Sequence, residues 1–246
     1  MIVATILLVL SCLILFYKHN QQTTIQQALA TTIPTSQRKK ILETAQTILP
    51  KGGKVQLLTT KEGIQLRTIQ WMPEQAVKGT FLLCQGYSEF IEKYDEPIQH
   101  LLNRQYAVLT FDWRGQGLSS RLITDPQKGH ISSFDYFMED ADLLYEKLLK
   151  SMPSPHYILA HSMGGHLAFR ILQEHPNRFQ KAILCAPFFG WSPNFGAGKL
   201  SSTLTILIST IMQKLGYGQD YTVGATPPSE VKTLQGQTSD LSLIHI

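Results

Sequence analysis

The chain has 246 residues, of which 43% are hydrophobic and 16% are charged, and its formal net charge is +4 at pH 7. A chain this long and this apolar can bury a large core, which excludes a disordered or low-complexity protein. The small basic excess is scattered along the chain, which argues against a nucleic-acid-binding protein. The three cysteines, Cys12, Cys84 and Cys185, have no metal-ligand spacing. We expect Cys84 and Cys185 to be buried free thiols, because each lies in an apolar run typical of a strand.

The amino-terminal segment differs from the rest of the chain. Residues 1–17 contain no charged side chain, and Lys18 and His19 end the apolar run. A cleaved signal peptide has a basic start and small residues at its cleavage site, and neither is present, although this alternative stays open. The segment therefore predicts an uncleaved, single-pass membrane anchor over residues 1–19. The basic residues that follow it place the main domain on the cytoplasmic side.

The chain then passes from a tether into alternating strands and helices. Residues 20–50 are predicted to form a polar tether and a short helix. Two strand patterns, 54–60 and 64–71, flank Lys61–Gly63, which is typical of a hairpin turn. The remaining pattern predicts strands at 80–84, 106–111, 156–160 and 181–186, and helices at 90–104, 134–152 and 164–174. Apolar strands that alternate with helices predict an α/β fold with a mostly parallel, doubly wound sheet, preceded here by an antiparallel hairpin. We assign residues 51–187 to this core and residues 188–246 to the start of a helical cap and a tail.

The motif with the clearest chemistry lies between the strand at 156–160 and the helix that follows it. Its sequence is Ala160-His161-Ser162-Met163-Gly164, a G-x-S-x-G pattern in which alanine replaces the first glycine. A serine on a sharp strand-to-helix turn exposes its hydroxyl at the edge of the sheet. The helix that starts at Met163 directs its free N–H groups and its positive dipole end toward that hydroxyl. The pattern predicts Ser162 as a nucleophile; a serine that merely caps the helix is the alternative.

Two further loops follow buried strands. Gln85-Gly86-Tyr87 follows the strand at 80–84, and the N–H of Tyr87, together with that of Met163, is predicted to form an oxyanion hole. The segment 112–119 contains a GxG pattern but neither a third glycine nor a GK[ST] sequence, so it is a weak phosphate-loop signal. We predict that this segment braces the serine turn, with Asp112 and Arg114 in local hydrogen bonds rather than in catalysis.

Taken in order, segments 85–89, 112–119 and 161–165 resemble the α/β-hydrolase superfamily, and most closely its lysophospholipase and monoacylglycerol lipase members, which are grouped with serine aminopeptidases. The resemblance extends over about residues 50–240. It implies Ser162 as the nucleophile, Tyr87 and Met163 as oxyanion-hole residues, and neither a metal nor an organic cofactor. Gln85 stands where relatives usually carry a histidine that is not catalytic.

The base and the acid that a serine nucleophile requires are not identifiable in the sequence. The histidines after Ser162 are His166 and His175, which lie on or next to the following helix, and His245 near the end of the chain. Residues 241–246 do not resemble the family. We therefore expect a truncated sequence with an incomplete α/β-hydrolase fold, the missing part of which holds the last strands, the acid and the histidine.

The favoured function is a membrane-anchored serine hydrolase of carboxylic esters, either a lysophospholipase or a monoacylglycerol lipase, which forms an acyl-enzyme on Ser162. Its expected partners are a lipid or small ester substrate and the membrane. The alternative is a non-catalytic lipid-binding pseudo-hydrolase or an inactive fragment, because no catalytic histidine or aspartate can be assigned.

Overall fold

A computed structural model describes residues 39, 43, 48–123, 128–190 and 202–219. Within these residues, a six-stranded sheet has the strand order β1-β2-β4-β3-β5-β6. The strands are β1 (Lys54–Thr59), β2 (Gln65–Trp71), β3 (Thr80–Cys84), β4 (Ala107–Phe111), β5 (His156–His161) and β6 (Lys181–Cys185). The α-helices are α1 (Asp95–Asn103), α2 (Asp135–Lys147), α3 (Met163–Glu174) and α4 (Ser202–Lys214).

The sheet is mixed, as the sequence predicted. β1 pairs with β2, and β2 with β4, in antiparallel register, whereas β4, β3, β5 and β6 run parallel to one another. The predicted hairpin turn is confirmed: the Gly63 N–H donates to the Thr60 carbonyl over 3.0 Å. Gly63 has a φ of 82°, a left-handed conformation that glycine adopts without steric cost. The parallel strands therefore end at one common edge, and the loops after β3, β4 and β5 meet there.

Both faces of the sheet carry a hydrophobic core, because successive side chains on a strand point to opposite faces. On one face Leu82 and Leu109 pack with side chains of α2 and α3. On the other face Leu83 and Val108 pack with Ile98 of α1. All five residues of β3 and all five of β4 are buried. This double cover explains their continuous apolar sequences.

Two predicted helices are shorter than their apolar patterns suggested. The predicted helix at 90–104 divides into a 3₁₀ turn, Ile91–Tyr94, and α1. Pro97 lies in the first turn of α1, where its missing N–H costs nothing, whereas one continuous helix would place it in the interior. The predicted helix at 134–152 ends as α2 at Lys147 and is followed by a second 3₁₀ turn, Leu149–Ser151.

The prediction that Cys185 is buried is wrong. Cys84 is fully buried in β3, but Cys185 at the end of β6 is exposed, as are most residues of that strand. Cys84 lies between two paired strands and beneath helices, whereas β6 pairs only with β5 among the described residues. An apolar strand pattern predicts the strand, but burial requires neighbours that cover it.

The predicted single-pass membrane localisation is corrected by the structure. A helix that crosses a bilayer needs about 20 apolar residues. In the part of the chain that the structure describes, no helix combines that length with sufficient apolarity. Residues 1–19, on which the prediction rested, lie outside the described residues, as do residues 20–38 and 220–246. The predicted boundaries after residues 19, 50 and 187 are not tested by the structure and stay a prediction.

Candidate active site

Ser162 lies on a sharp turn between β5 and α3. Its backbone has φ 52° and ψ −118°, a left-handed conformation that costs a non-glycine residue about 1–3 kcal/mol. The surroundings hold this conformation in place: the Ser162 N–H donates to the Cys185 carbonyl over 3.0 Å, and the Ser162 carbonyl accepts from the His166 N–H over 3.2 Å. The turn places Ser162 immediately before the free N–H groups of the first turn of α3.

Small residues allow the turn to pack against the end of β3. A side chain on Gly164 would collide with the backbone carbonyls of Cys84 and Gln85. A side chain on Gly165 would lie 2.9 Å from the Pro187 ring. Glycine is therefore required in the first turn of α3, since any larger residue would push the serine turn away from the sheet.

The loop after β3 lies directly against Ser162. A Cβ built on Gly86 would lie 3.1 Å from the Ser162 Cβ and 2.7 Å from a Glu89 carboxylate oxygen, so the Gly86 backbone is enclosed between the two side chains. Tyr87 follows Gly86, and its hydroxyl donates to the Gly129 carbonyl over 2.8 Å. The three residues predicted from the sequence, Ser162, Tyr87 and Met163, thus lie at the same edge of the sheet.

A carboxylate that sequence reasoning did not select connects this loop to β5. Glu89 Oε2 accepts from the Gly86 N–H (2.7 Å), from the Tyr94 hydroxyl (2.5 Å) and from Nδ1 of His161 (3.0 Å). Glu89 Oε1 accepts from Lys93 Nζ at 2.9 Å. Burial alone would raise the pKa of Glu89, but these four hydrogen bonds lower it to about 2. Glu89 is therefore ionised at neutral pH, and its only sequence signal was its position inside the segment 85–89.

The loop after β4 begins with Asp112, whose carboxylate binds groups on β2, on the loop after β3 and on its own loop. Asp112 Oδ1 accepts from the Ile91 N–H at 3.0 Å, and Oδ2 accepts from the Leu118 N–H at 2.8 Å and from Arg67 Nε at 2.7 Å. Arg67 also binds Glu92, and all three side chains are fully buried. Burial opposes the charge on Arg67, but the two carboxylates raise its pKa above the ordinary value.

Arg114 likewise forms an ion pair with a buried carboxylate, that of Asp140. Its Nε lies 2.7 Å from Asp140 Oδ2, and its guanidinium packs over the Tyr136 ring. The predicted local, non-catalytic hydrogen bonding of Asp112 and Arg114 is in agreement with these contacts.

A cavity of about 290 Å³ opens beside the turn. Both Tyr87 and Met163 line it, which places the cavity next to the two predicted oxyanion-hole residues. The remainder of its wall is partly aromatic and partly polar, with Phe134, Phe137 and His130 among the lining residues. This volume lies near the lower end of the range for small-molecule sites.

Two of the described histidines near the Ser162 turn and α3 bind carboxylates, whereas Nδ1 of His166 is buried without a hydrogen-bond partner among the described residues. His161 binds Glu89, and His175 Nε2 lies 3.1 Å from Asp142. Within residues 48–123, 128–190 and 202–219, the Ser162 hydroxyl makes no hydrogen bond to a histidine. His245 lies outside the described residues.

Comparison with known proteins shows the family of the chain. The family model described as "Serine aminopeptidase, S33" matches residues 75–239. A probable lysophospholipase L2 of Haemophilus influenzae is 35% identical over 69% of this chain and 52% of its own length. Lysophospholipase L2 of Escherichia coli is 38% identical over 44% and 32%, and rat monoglyceride lipase is 27% identical over 71% and 56%. The chain thus spans about half the length, or less, of these curated relatives.

Solved structures share the fold. A thermostable carboxyl esterase from Bacillus coagulans superposes with a TM-score of 0.57 at 18% identity, covering 71% of this chain and 54% of that one. A soluble variant of monoglyceride lipase from Saccharomyces cerevisiae superposes with a TM-score of 0.52 at 20% identity, covering 68% and 53%. At these identities the likeness concerns the fold alone.

Proposed function

The chain belongs to the serine aminopeptidase S33 family of α/β hydrolases, and we propose that the whole protein is a serine hydrolase of carboxylic esters. Its fold is the α/β-hydrolase fold with a mixed sheet. The observation that supports the activity most directly is the left-handed Ser162 on the β5–α3 turn, with the Gly86 backbone packed against its side chain. Strain of this kind persists where surrounding structure holds it, and it is concentrated at functional sites.

In the proposed reaction, Ser162 Oγ attacks the ester carbonyl carbon. As this bond forms, the carbonyl oxygen becomes an anion, which the backbone N–H groups of Tyr87 and Met163 bind. The carbon–oxygen bond to the alcohol then breaks, the alcohol leaves with a proton, and an acyl-enzyme remains on Ser162. Water attacks the acyl-enzyme in the same geometry, which releases the carboxylic acid and restores the hydroxyl.

The base that moves these protons is expected from outside the described residues. Among the described residues, none of His161, His166 and His175 makes a hydrogen bond to the Ser162 hydroxyl: His161 binds Glu89, His175 binds Asp142, and Nδ1 of His166 has no hydrogen-bond partner. A histidine with an acidic partner completes the site in our proposal, because a serine hydroxyl is a weak nucleophile without a base.

We further propose a monoacyl lipid as the substrate, either a lysophospholipid or a monoacylglycerol. The names of the relatives support this class: lysophospholipase L2 in two bacteria and monoglyceride lipase in rat. The partly aromatic cavity beside Met163 provides apolar surface next to the proposed oxyanion hole. Comparing fatty acid release from a lysophospholipid and from a monoacylglycerol determines which headgroup the protein accepts.

The test is Ser162→Ala in the full-length protein, measured by fluorophosphonate labelling and by fatty acid release from lysophosphatidylcholine and from monoacylglycerol. We expect labelling to disappear and fatty acid release to fall by at least about a thousandfold. The matched control is Ser151→Ala, since Ser151 precedes β5 at the opposite edge of the sheet and its hydroxyl donates to the Leu148 carbonyl over 2.8 Å. Labelling that survives Ser162→Ala would refute the assignment. Lipid binding without turnover in the wild type would instead support the non-catalytic alternative.

A further inference from the structure

Glu89 binds two segments that flank the proposed oxyanion hole. One is the loop after β3, through the Gly86 N–H, one residue before Tyr87. The other is the end of β5, through the His161 ring, one residue before Ser162. These segments are more than 70 residues apart in the chain, and the strands that carry them are neighbours in the sheet. A single carboxylate oxygen thus receives hydrogen bonds from both sides of the site.

The local backbone directs the carboxylate back to Gly86. Ser88 has a left-handed φ of 57°, which turns the chain so that the Glu89 side chain reaches an N–H three residues earlier. The Ser88 N–H itself donates to Gln116 Oε1 over 2.6 Å, which attaches the turn to the loop after β4. A non-glycine residue keeps a strained backbone conformation only where its surroundings hold it in place. At Ser88 these contacts are the hydrogen bond to Gln116 and the hydrogen bond from the Gly86 N–H to the adjacent Glu89.

We propose that Glu89 is a positioning residue that fixes the spacing between the Tyr87 and Met163 N–H groups, so that both can bind the developing oxyanion. This inference rests on the proposed function. Glu89 does not touch the substrate in this proposal and acts through Gly86 and His161. Since the Gly86 backbone is enclosed between Glu89 and the Ser162 side chain, a shift of the carboxylate moves the oxyanion loop relative to the nucleophile.

An ionised carboxylate suits this role and an amide does not. Each of the four groups around Glu89 supplies a donor hydrogen: a backbone N–H, a phenol, an imidazole N–H and an ammonium. A carboxylate accepts on both oxygens, whereas glutamine presents one accepting oxygen and two donor hydrogens. Glu89→Gln preserves the shape of the side chain but turns an N–H toward a donor, which forces the cluster to rearrange.

The experiment compares Glu89→Gln with Glu146→Gln in the full-length protein. Glu146 is a matched control, because it forms an i,i+4 ion pair with Lys150 at 3.0 Å, as Glu89 does with Lys93 at 2.9 Å, but on the exposed side of α2. The measurements are kcat and KM for p-nitrophenyl butyrate, and the inhibition constant of an alkyl boronic acid. The tetrahedral boronate adduct places a negatively charged oxygen where the oxyanion forms.

We expect Glu89→Gln to lower kcat by about ten- to a hundredfold with less than about a threefold change in KM, since loss of one oxyanion donor outright costs about a hundredfold or more. Boronate inhibition should weaken by the same factor as kcat/KM, and Glu146→Gln should match the wild type. A merely structural role for Glu89 would lower the melting temperature and leave boronate affinity per folded molecule unchanged, and that result would overturn the inference.

A second variant serves if Glu89→Gln does not fold. Tyr94→Phe removes one donor to Glu89 Oε2 and keeps the ring, and we expect a decrease of about threefold in kcat with KM unchanged; an unchanged kcat would overturn the inference. Ser162→Ala separates the two proposals. If Ser162→Ala abolishes turnover while Glu89→Gln and Tyr94→Phe both keep the wild-type kcat, only the positioning role of Glu89 is refuted. If the wild type shows no turnover that depends on Ser162, the proposed function and the positioning role are both refuted.

Discussion

Leu83 of β3 and Ile183 of β6 flank the same residue, Leu159 of β5, in one row across the parallel sheet. Leu83 is completely buried, whereas Ile183 is 50% exposed. Both strands are five residues long and have similar apolar sequences, TFLLC and KAILC. The difference in burial therefore does not come from the length or the sequence of the two strands. β3 has a strand on each side and α1 over this face, while β6 has β5 as its only neighbour among the described strands.

The largest effect that we expect comes from the charges buried in the covered part of the molecule. Arg67→Ala leaves Asp112 and Glu92 buried without their cation, and we expect a loss of about 3–5 kcal/mol in the free energy of unfolding. Arg170→Ala is the control, because Arg170 pairs at 3.2 Å with an exposed Asp135. A surface pair of this kind contributes about 1 kcal/mol or less. Urea unfolding of both variants measures the difference, and equal losses would contradict the picture of a paired, buried charge cluster.

The second-largest effect that we expect is on the free energy of unfolding when Leu83 or Ile183 is truncated. Leu83→Ala removes a fully buried side chain and leaves a cavity, so we expect a loss of about 2–5 kcal/mol. Ile183→Ala removes a side chain that is half in water already, and we expect a loss of about 1 kcal/mol or less. The measurement is again urea unfolding. If Ile183→Ala proves as costly as Leu83→Ala, then β6 is covered in solution by a part of the protein outside the described residues.

The smallest effect concerns the two cysteines at the ends of these strands. Cys185→Ser should change stability by less than about 0.5 kcal/mol, because the thiol is exposed, whereas Cys84→Ser places a hydroxyl in the core and should cost about 1–3 kcal/mol. In a Cys12→Ser background, a disulfide reagent should titrate one thiol in the native state and two after unfolding. Burial also raises the pKa of Cys84, which disfavours its reactive thiolate form. Two reactive thiols in the native protein would show that the Cys84 thiol is accessible to solvent, contrary to its burial in β3.

The fold class was predictable because its signals are local. Continuous apolar runs that alternate with amphipathic segments predicted each strand from β1 to β6 and the three helices that cover the sheet, with ends that differ by a few residues. The largest errors in helix length occurred where proline overrides the hydrophobic periodicity. Pro97 confines α1 to the later part of the helix predicted over residues 90–104. Ser162 was also found locally, because a G-x-S-x-G-like pattern between a strand and a helix defines its turn.

The contacts of the site were less predictable, because they join residues that are distant in sequence. Glu89 and His161 are 72 positions apart, and their contact exists only because β3 and β5 are neighbours in the sheet. The same holds for Arg67 and Asp112, which are 45 positions apart and meet through the pairing of β2 with β4. The sequence contained these residues without any periodic or spacing signal that would pair them.

The amino-acid sequence by itself determined the order of strands and helices, the hairpin at its start and the turn that carries Ser162, since hydrophobic period and glycine placement act over a few residues. Only the tertiary structure decided which apolar runs are buried, as Cys84 and Cys185 demonstrate, and which charged side chains are paired, as Glu89 and Arg67 demonstrate. The physical reason is that burial and ion pairing depend on neighbours supplied by remote parts of the chain. The free energy of a side chain is therefore a property of its surroundings in the fold rather than of its local sequence.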